Sequence, residues 1–489
     1  MRFANWQDGT LPIVIGAMSA KHRGGWNRLL SVVLAGAGWG WLGEPARAEL
    51  VCQAIRTTVS QSAYPRSALV QAADGNFYGT IPADSPVGYG AVFRITPAGY
   101  LTTVVSFMGG SSGSDPEGGL VLATDGSLYG TTMAGGLYGL GTIFKINPTG
   151  FPLQTLHSFN GTDGARPLYS LIQASDGFLY GVTLGAYVTN PPTIFRATTA
   201  GVVTALTNLF RANLGNASMP TDGLVQGPDG WLYGTTWMPA YPSHPIGSIY
   251  KISTDGIFQT LAYFQDPPGV QLPGSGERPT GGLTAGTDGF LYGTLGCNSF
   301  PLVTNYGSVF RMTTNGVLTT LVKFAGTNGS NPMTRLLLAK DGNFYGLTTG
   351  GGPAGGGGTI FSVTTNGVLN TLAGGFAAQG FYSGPPSLIQ ASDGNLYGTG
   401  VAGSTSFTSA VFRLVPQPLI TAATWSSGKL TLHWNSFTNG AYRFAYKSTL
   451  DEANWTTQYS TITATGANAS ASDYPGAAAQ RFYQIMLLP

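Results

Sequence analysis

The stretch "SDGFLYGVT", residues 175–183, sets an Asp-Gly pair before alternating apolar positions and a Tyr-Gly step. The same words return as "ADGNFYGTI" at 73, "TDGSLYGTT" at 124, "PDGWLYGTT" at 228, "TDGFLYGTL" at 287, "KDGNFYGLT" at 340 and "SDGNLYGTG" at 392. The aspartates, Asp74, Asp125, Asp176, Asp229, Asp288, Asp341 and Asp393, stand 51, 51, 53, 59, 53 and 52 residues apart. A period that regular marks one structural unit used seven times.

Within a unit the signals are all β. In the third, "LYSLIQAS" reads as a short apolar strand, "FLYGVT" as its hairpin partner, "PTIFRAT" as a third strand and "VVTALTNLF" as a fourth. Four antiparallel strands in about fifty residues describe a propeller blade. The expected fold is therefore all-β: a seven-bladed β-propeller of four-stranded blades over residues 49–416, followed by a small β-sandwich over 417–489. No segment carries a 3.6-residue apolar period, which excludes a helical solenoid.

The repeated words have physical readings. Asp-Gly fits a two-residue hairpin turn, because Gly accepts positive φ freely and Asp tolerates it. Tyr78, Tyr129, Tyr180, Tyr233, Tyr292, Tyr345 and Tyr397 each supply a large ring to fill the wedge against the next blade. The Gly after each Tyr is expected to let an adjacent blade approach. The seventh unit lacks a fourth strand after "SAVFRLVP" (409–416), while "CQAIRTTVSQSAYP" (52–65) matches the fourth strand and Pro loop of other units. The N-terminal segment is thus expected to close the last blade, removing two exposed edges.

Composition narrows the class. Charged residues are 9% and aromatics 12%, the reverse of a disordered chain. A formal net charge of +2, spread along the chain, offers no electrostatic footprint for nucleic acid and no polybasic membrane patch. Residues 1–48 read as a secretory signal: basic "KHRGGWNR" (21–28), apolar "LLSVVLAGAGWGWLG" (29–43) and "ARA" (46–48), with cleavage after Ala48. The apolar run is short and Gly-rich for a retained membrane anchor, and translation from Met18 would give a more usual signal length. Of the two cysteines, Cys52 follows "ELV", which lacks a lipidation box. A Cys52–Cys297 bridge and two buried thiols both remain open.

The pattern "DG.LYGTT..GG..G.G.IFKI", residues 125–146, resembles the GloVer tandem repeat of secreted bacterial proteins, and the likeness spans roughly residues 68–415. The resemblance implies export and carries no defined activity. Members commonly end in a sorting or anchoring segment, whereas the last residues here, "RFYQIMLLP", contain neither a membrane-length run nor a basic tail. The tail from Gln417 resembles fibronectin-like modules of secreted bacterial proteins. Its Trp425, Trp434 and Trp455 are expected in a sandwich core rather than on sugar rings.

Residues of a kind that carry chemistry are few. His157, His244 and His433 show no metal-ligand spacing, so no metal or cofactor is expected. There is no G-x-S-x-G elbow, and "GGGPAGGGGT" (350–359) is a loop without a P-loop lysine. A propeller gathers on one face the loops between blades and those between second and third strands. There stand "SDPEGG" (114–119), "TDGARP" (162–167), "QDPPG" (265–269) and "SGERP" (275–279). Asp115, Glu117, Asp163, Arg166, Asp266, Glu277 and Arg278 are the candidate rim, with Trp237, Tyr241 and Tyr138 as stacking candidates; the bland alternative is a solvated rim of turn formers. The longest insertions, "WMPAYPSHPIG" (237–247) and "QDPPGVQLPGSGERP" (265–279), also point to that side. The third strands carry Arg94, Lys145, Arg196, Lys251, Arg311 and Arg413 at one register, with Ser362 in the sixth; their stems are expected between blades and their heads near solvent or a turn carboxylate.

These observations favour a secreted, non-catalytic binding or scaffolding protein for an extracellular polysaccharide, protein or surface partner. The alternatives are a polysaccharide-active lyase or hydrolase using rim carboxylates, which would need two of them across one cleft, and a structural cell-surface component.

Overall fold

A computed structural model describes residues 15–16, 32–34, 50–57, 67–82, 88–148, 150–185, 190–209, 219–237, 246–264, 278–296, 306–352, 358–374, 388–402, 408–416, 420–436, 441–448, 454, 456–466, 468–474 and 481–487. The chain divides into two compact units, Ala54–Arg413 and the pair of segments Met1–Gln53 and Leu414–Pro489. Strands dominate, and the one helical turn among the described residues is Gly110–Ser112.

Each repeat forms one antiparallel sheet. In the third the strands are Ile172–Gln173, Leu179–Val182, Thr193–Ala197 and Val203–Asn208, in that order across the sheet. The first strand is shorter than its apolar run suggests. In the fourth, fifth and sixth repeats the second strand also pairs with a short lead-in, Met219–Pro220, Arg278–Pro279 or Ser330–Pro332. The seventh sheet runs Leu388–Gln390, Leu396–Ala402, Thr408–Pro416 and then Leu50–Thr57.

The Asp-Gly turn differs from the two-residue form expected of it. Gly177 has φ 82° while Asp176 is not among the positive-φ residues, and the Gly177 N–H donates to Ala174 O at 2.9 Å. Asp therefore occupies the third position of a four-residue turn, and Gly alone takes the left-handed conformation. This placement frees the carboxylate for two partners: Asp176 accepts from the Phe178 N–H at 3.1 Å and the Tyr180 hydroxyl at 2.6 Å. All seven repeats make the Tyr-to-Asp bond, at 2.6–2.8 Å. Aspartate is selected by this acceptor role as much as by the turn.

The Gly after each Tyr also has a different reason. Gly79, Gly130, Gly181, Gly293 and Gly346 pair directly with Phe93, Phe144, Phe195, Phe310 and Phe361 of the third strand. A Cβ on Gly130 would lie 2.5 Å from Phe144 Cζ and 2.8 Å from Leu120 Cδ2. The close approach is that of a ring in the same sheet, not of a neighbouring blade.

Successive sheets share apolar clusters. One joins Tyr78, Val92 and Phe107 to Leu120, Leu128 and Phe144; the next joins Tyr129 and Phe159 to Leu171, Leu179 and Phe195. The series continues to the sixth repeat, and Tyr397 and Val411 of the seventh pack with Leu69, Phe77 and Phe93 of the first. A polar series accompanies it. Gln173, Gln226 and Gln390 each accept, through Oε1, the N–H before the Asp-Gly turn of the preceding repeat, from Thr124, Ser175 and Lys340.

At the same joints the third-strand cations meet turns of their own or the following repeat. Lys145 Nζ lies 2.9 Å from Asp125 Oδ2. Lys251 donates to Thr314 O and Arg196 to Thr254 O, both in the following repeat. Arg196, Lys251 and Arg311 also lie over the rings of Phe178, Trp231 and Phe290, at 5.2, 4.8 and 4.7 Å. Burial opposes ionisation of Asp125, but hydrogen bonds from Lys145, Tyr129 and the Ser127 N–H outweigh it and hold the carboxyl at about 2. Burial and the bond to Asp74 push the Tyr78 phenol up to about 12, and the equivalent phenols move the same way.

The smaller unit has one sheet of Ile420–Ser426, Lys429–Asn435 and Asn468–Asp473 and a second containing Phe482–Leu487, Ala441–Lys447 and Thr456–Thr463. The short strands Ile15–Gly16 and Val32–Leu34 extend the second sheet beyond its Phe482–Leu487 edge. Leu430, Leu432 and Trp434 of the first sheet share a buried cluster with Tyr442, Phe444, Tyr483 and Ile485 of the second. Trp434 is thus core, whereas Trp425 is exposed, against expectation. Trp455 lies outside the described side chains, as do Cys52 and Cys297.

Candidate ligand-binding loops

The loops that carry the chain from the outer strand of one repeat to the inner strand of the next share one construction. After Phe107, Phe159 and Phe324, a polar side chain four or five residues on turns back to cap a backbone N–H. Ser112 Oγ accepts from Met108 N at 3.1 Å, Asp163 Oδ1 from Asn160 N at 2.9 Å, and Asn328 Oδ1 from Ala325 N at 2.8 Å. Capping of this kind is what short oxygen-bearing side chains supply in turns.

Each loop ends on a residue in the left-handed region immediately before a proline. Asp115, Arg166 and Asn331 have φ of 62°, 57° and 52°, ahead of Pro116, Pro167 and Pro332. Both the side chain and the following proline disfavour that conformation, so its cost is on the order of 1–3 kcal/mol. The preceding repeat holds it in place. Asp115 N donates to Tyr89 O, Arg166 N to Leu140 O and Asn331 N to Tyr306 O, at 2.8–2.9 Å. Each proline seats against a glycine of that same repeat, Gly141 for Pro167 and Gly307 for Pro332, where a Cβ would lie 2.8 and 2.6 Å from the ring.

Of the candidate residues from the sequence, Asp115 and Arg166 occupy this strained position, while Arg278 also precedes a proline, Pro279, without being among the positive-φ residues. Their surroundings differ. Arg166 reaches Met133 Sδ at 3.9 Å. Arg278 lies 5.0 Å over the Trp237 ring and is only 8% exposed, so it covers one indole face rather than standing on an open rim. Glu117 is likewise 8% exposed. Asp163 divides its carboxylate between the Asn160 cap and His157, whose Nε2 is 2.8 Å from Oδ2. Tyr138 is exposed two residues from Leu140, the acceptor for Arg166 N. Tyr241, Asp266 and Glu277 lie outside the described residues.

Sequence reasoning missed four participants. His157 sits at the end of an outer strand, edge-on to Phe159 at 5.1 Å, and only its loop partner reveals it. Asn331 stands in the strained position and donates to Thr349 Oγ1 at 2.9 Å. Asp222 and Arg335 join the fourth repeat to the sixth: Arg335 Nε lies 3.0 Å from Asp222 Oδ2, and its terminal nitrogens donate to Gly223 O and Leu224 O. The Gly282 N–H of the intervening repeat also donates to Asp222. A guanidinium so occupied is a clasp rather than a ligand site.

Among the described residues, no three His, Cys, Asp or Glu side chains gather where they could hold a metal ion. No described helix is long and apolar enough to cross a membrane. The family model described as the Gloeobacter/Verrucomicrobia repeat matches residues 64–299 and 273–473. Comparison with curated proteins gives no significant match. Among solved structures, the chain is similar to a puromycin hydrolase S511A mutant complexed with PGG, at 13% identity and TM-score 0.47, covering 78% of this chain and 59% of that one. It is also similar to an extracellular domain described as part of a hybrid two component system of B. thetaiotaomicron, at 12% identity and TM-score 0.49, covering 96% and 66%. A gluconolactonase from Xanthomonas campestris matches at 15% identity and TM-score 0.29, covering 52% and 78%. The chain spans about three fifths of the puromycin hydrolase and two thirds of the extracellular domain.

Proposed function

The chain belongs to the Gloeobacter/Verrucomicrobia repeat family, and from that premise we propose that it is a secreted, seven-bladed β-propeller that binds an extracellular polymer or surface partner on its inter-repeat loops without chemistry. The blade count is supported by seven sequence repeats, a sheet in each, and the packing of the seventh against the first. Leu50–Thr57 beside Thr408–Pro416 is read as the closing strand of the last blade. The smaller unit is read as a β-sandwich, and residues 1–48 as a signal removed after Ala48. Without Val32–Leu34 the three strands Phe482–Leu487, Ala441–Lys447 and Thr456–Thr463 would still form a sheet.

One observation carries the binding role. The pre-proline position is held in an unfavourable backbone conformation by the same bonds in different repeats, yet bears Asp115, Arg166 or Asn331. A fixed frame that presents different side chains suits recognition, in which polar groups must be placed but need not react. The lyase or hydrolase alternative is weakened at Asp163, whose oxygens are engaged by Asn160 and His157.

The test is retention of residues 49–489 on a panel of extracellular polysaccharides and cell-wall preparations, with reducing-end and unsaturated-product release followed in the same wells. Retention without product, weakened by Arg166→Ala, is the expected result. Product release abolished by Asp163→Asn would overturn it in favour of catalysis, because an asparagine at the equivalent loop position, Asn328, keeps the cap. No retention and no product would favour the structural role.

A further inference from the structure

We propose that the smaller unit joins two copies of this protein edge to edge, Phe482–Leu487 of one copy pairing antiparallel with Phe482–Leu487 of the other. This pairing presupposes that residues 1–48 leave as an export signal, and it involves none of the loop residues. In the full chain the edge already takes a strand. Val32–Leu34 pairs antiparallel with it, Val33 opposite Tyr483 and Leu34 opposite Phe482, and Ile15–Gly16 pairs in turn with Val32–Leu34. Both short strands belong to the segment lost with the signal. The sheet that remains then ends on Phe482–Leu487, followed inward by Ala441–Lys447 and Thr456–Thr463.

The two edges of that sheet are built differently. Thr456–Thr463, "TTQYSTIT", is mostly hydroxyl and amide side chains, and its pairing with Ala441–Lys447 slips register between Tyr442 and Phe444 and again between Phe444 and Ala445. Polar residues and bulges are how a sheet edge refuses further strands. Phe482–Leu487, "FYQIML", has no charge, proline or glycine, and it pairs with Ala441–Lys447 residue for residue, from Phe482 opposite Lys447 to Leu487 opposite Tyr442. A regular, uncharged, apolar edge is fitted to take a strand, and left bare it would aggregate.

Gln484 favours a second copy over an unrelated strand. It carries the strand's one amide, is 2% exposed, and its Oε1 has no hydrogen-bond partner, a costly state for a buried acceptor. A two-fold axis at Gln484 sets it opposite itself, Tyr483 opposite Ile485 and Phe482 opposite Met486, and directly opposed side chains lie on one face of a sheet. Each Gln484 amide can then donate through Nε2 to the Oε1 of the other. No like charges meet along the seam, because the strand has none and the flanking Arg481 is paired with Asp473. The Tyr483 hydroxyl is likewise committed to Asp473.

The experiment compares residues 49–489 with the full chain, 1–489, by sedimentation velocity at micromolar concentration. The shorter chain is expected to be a dimer, and the full chain, whose own Val32–Leu34 covers the edge, a monomer. A peptide of residues 29–37 with a lysine tail should convert the dimer of 49–489 to monomer. The same peptide N-methylated at Val32 and Val33, which cannot complete the ladder, should not. Register is read by cross-linking. Opposed Cα atoms in an antiparallel pair stand about 4.5–5.5 Å apart, within reach of a disulfide. Gln484→Cys in 49–489 should therefore oxidise to a covalent dimer that Tyr459→Cys, exposed on the other edge strand, does not form. Near-UV circular dichroism verifies that both variants fold. A monomeric 49–489, a dimer that survives the peptide, or equal cross-linking of the two cysteine variants would overturn the proposal. N-terminal sequencing of the exported chain separates the two failures: residues 1–48 retained would overturn their removal, and with it the dimer of the native protein, even where 49–489 pairs as described.

Discussion

The Ser392 N–H donates to Gln71 Oε1 at 2.7 Å across 321 residues of sequence. It is the same bond that Thr124 makes to Gln173 and Ser175 to Gln226 between consecutive repeats. The seventh repeat therefore meets the first as the second meets the third and the third the fourth, and Thr399 Oγ1 donating to Ser67 O, with the Phe77 and Tyr397 rings 4.4 Å apart, completes the joint.

Gln71→Ala should lower stability by about 1–2 kcal/mol, since it leaves the Ser392 N–H without its acceptor and Gly75 O without a donor. Gln226→Ala, at an internal joint, should cost the same. Chemical denaturation measures both. A silent Gln71→Ala beside a costly Gln226→Ala would mean that the first and seventh repeats are not joined in solution.

Alkali should unfold the protein early. The repeat phenols titrate higher when folded than their usual value of 10, Tyr78 at about 12, because burial and an aspartate acceptor both favour the protonated form. A group whose folded pKa is raised contributes its stability in full below pH 10 and loses it as the pH climbs through the folded value. Melting temperature should be flat to about pH 10 and fall steeply between 10 and 12, with the Tyr78 phenol, followed by ring-carbon NMR, ionising with unfolding rather than before it. Ionisation of Tyr78 in the native protein at pH 10 would contradict the Tyr–Asp geometry.

Gly130→Ala should be destabilising by about 1–3 kcal/mol, since its Cβ would press on Phe144 and Leu120. The double variant with Phe144→Leu should recover part of the loss. Additive effects in the cycle would show that the glycine answers to something other than that ring.

Arg335→Ala should cost about 2–3 kcal/mol, by stranding a mostly buried Asp222. Removing both partners as Asp222→Ser with Arg335→Ala should cost less than Arg335→Ala alone. Hydrogen exchange should locate the loss in the fourth to sixth repeats, where Gly282 and Gly223 also depend on the clasp.

Much of this molecule is legible in its sequence because the informative residues are local and repeated. Tyr180 and Asp176 are four residues apart, so periodicity exposes both. The turn geometry was not legible, since Asp-Gly serves two-residue and longer loops alike, and which one forms depends on whether the carboxylate finds a partner such as the Tyr180 hydroxyl. The loops were harder still. The bond that pins Arg166 comes from Leu140, 26 residues earlier, and the clasp on Arg335 from Asp222, 113 residues away. The first spacing is about half a repeat and the second about two, so neither pair stands out in a period of one unit. Charged residues such as Glu117 and Arg278 read as rim because Pro and Gly flank them, yet the same prolines draw them into the joints between repeats.

The pre-proline loops separate where a side chain stands from what it is. Because main-chain bonds to the preceding repeat hold the backbone at Asp115, Arg166 and Asn331, exchange of one side chain there alters what the surface offers without re-laying the chain. On the proposed binding role, a lineage built on this repeat can drift from one ligand to another by single codon changes, and a laboratory library confined to these positions can sample new specificities on an unchanged frame.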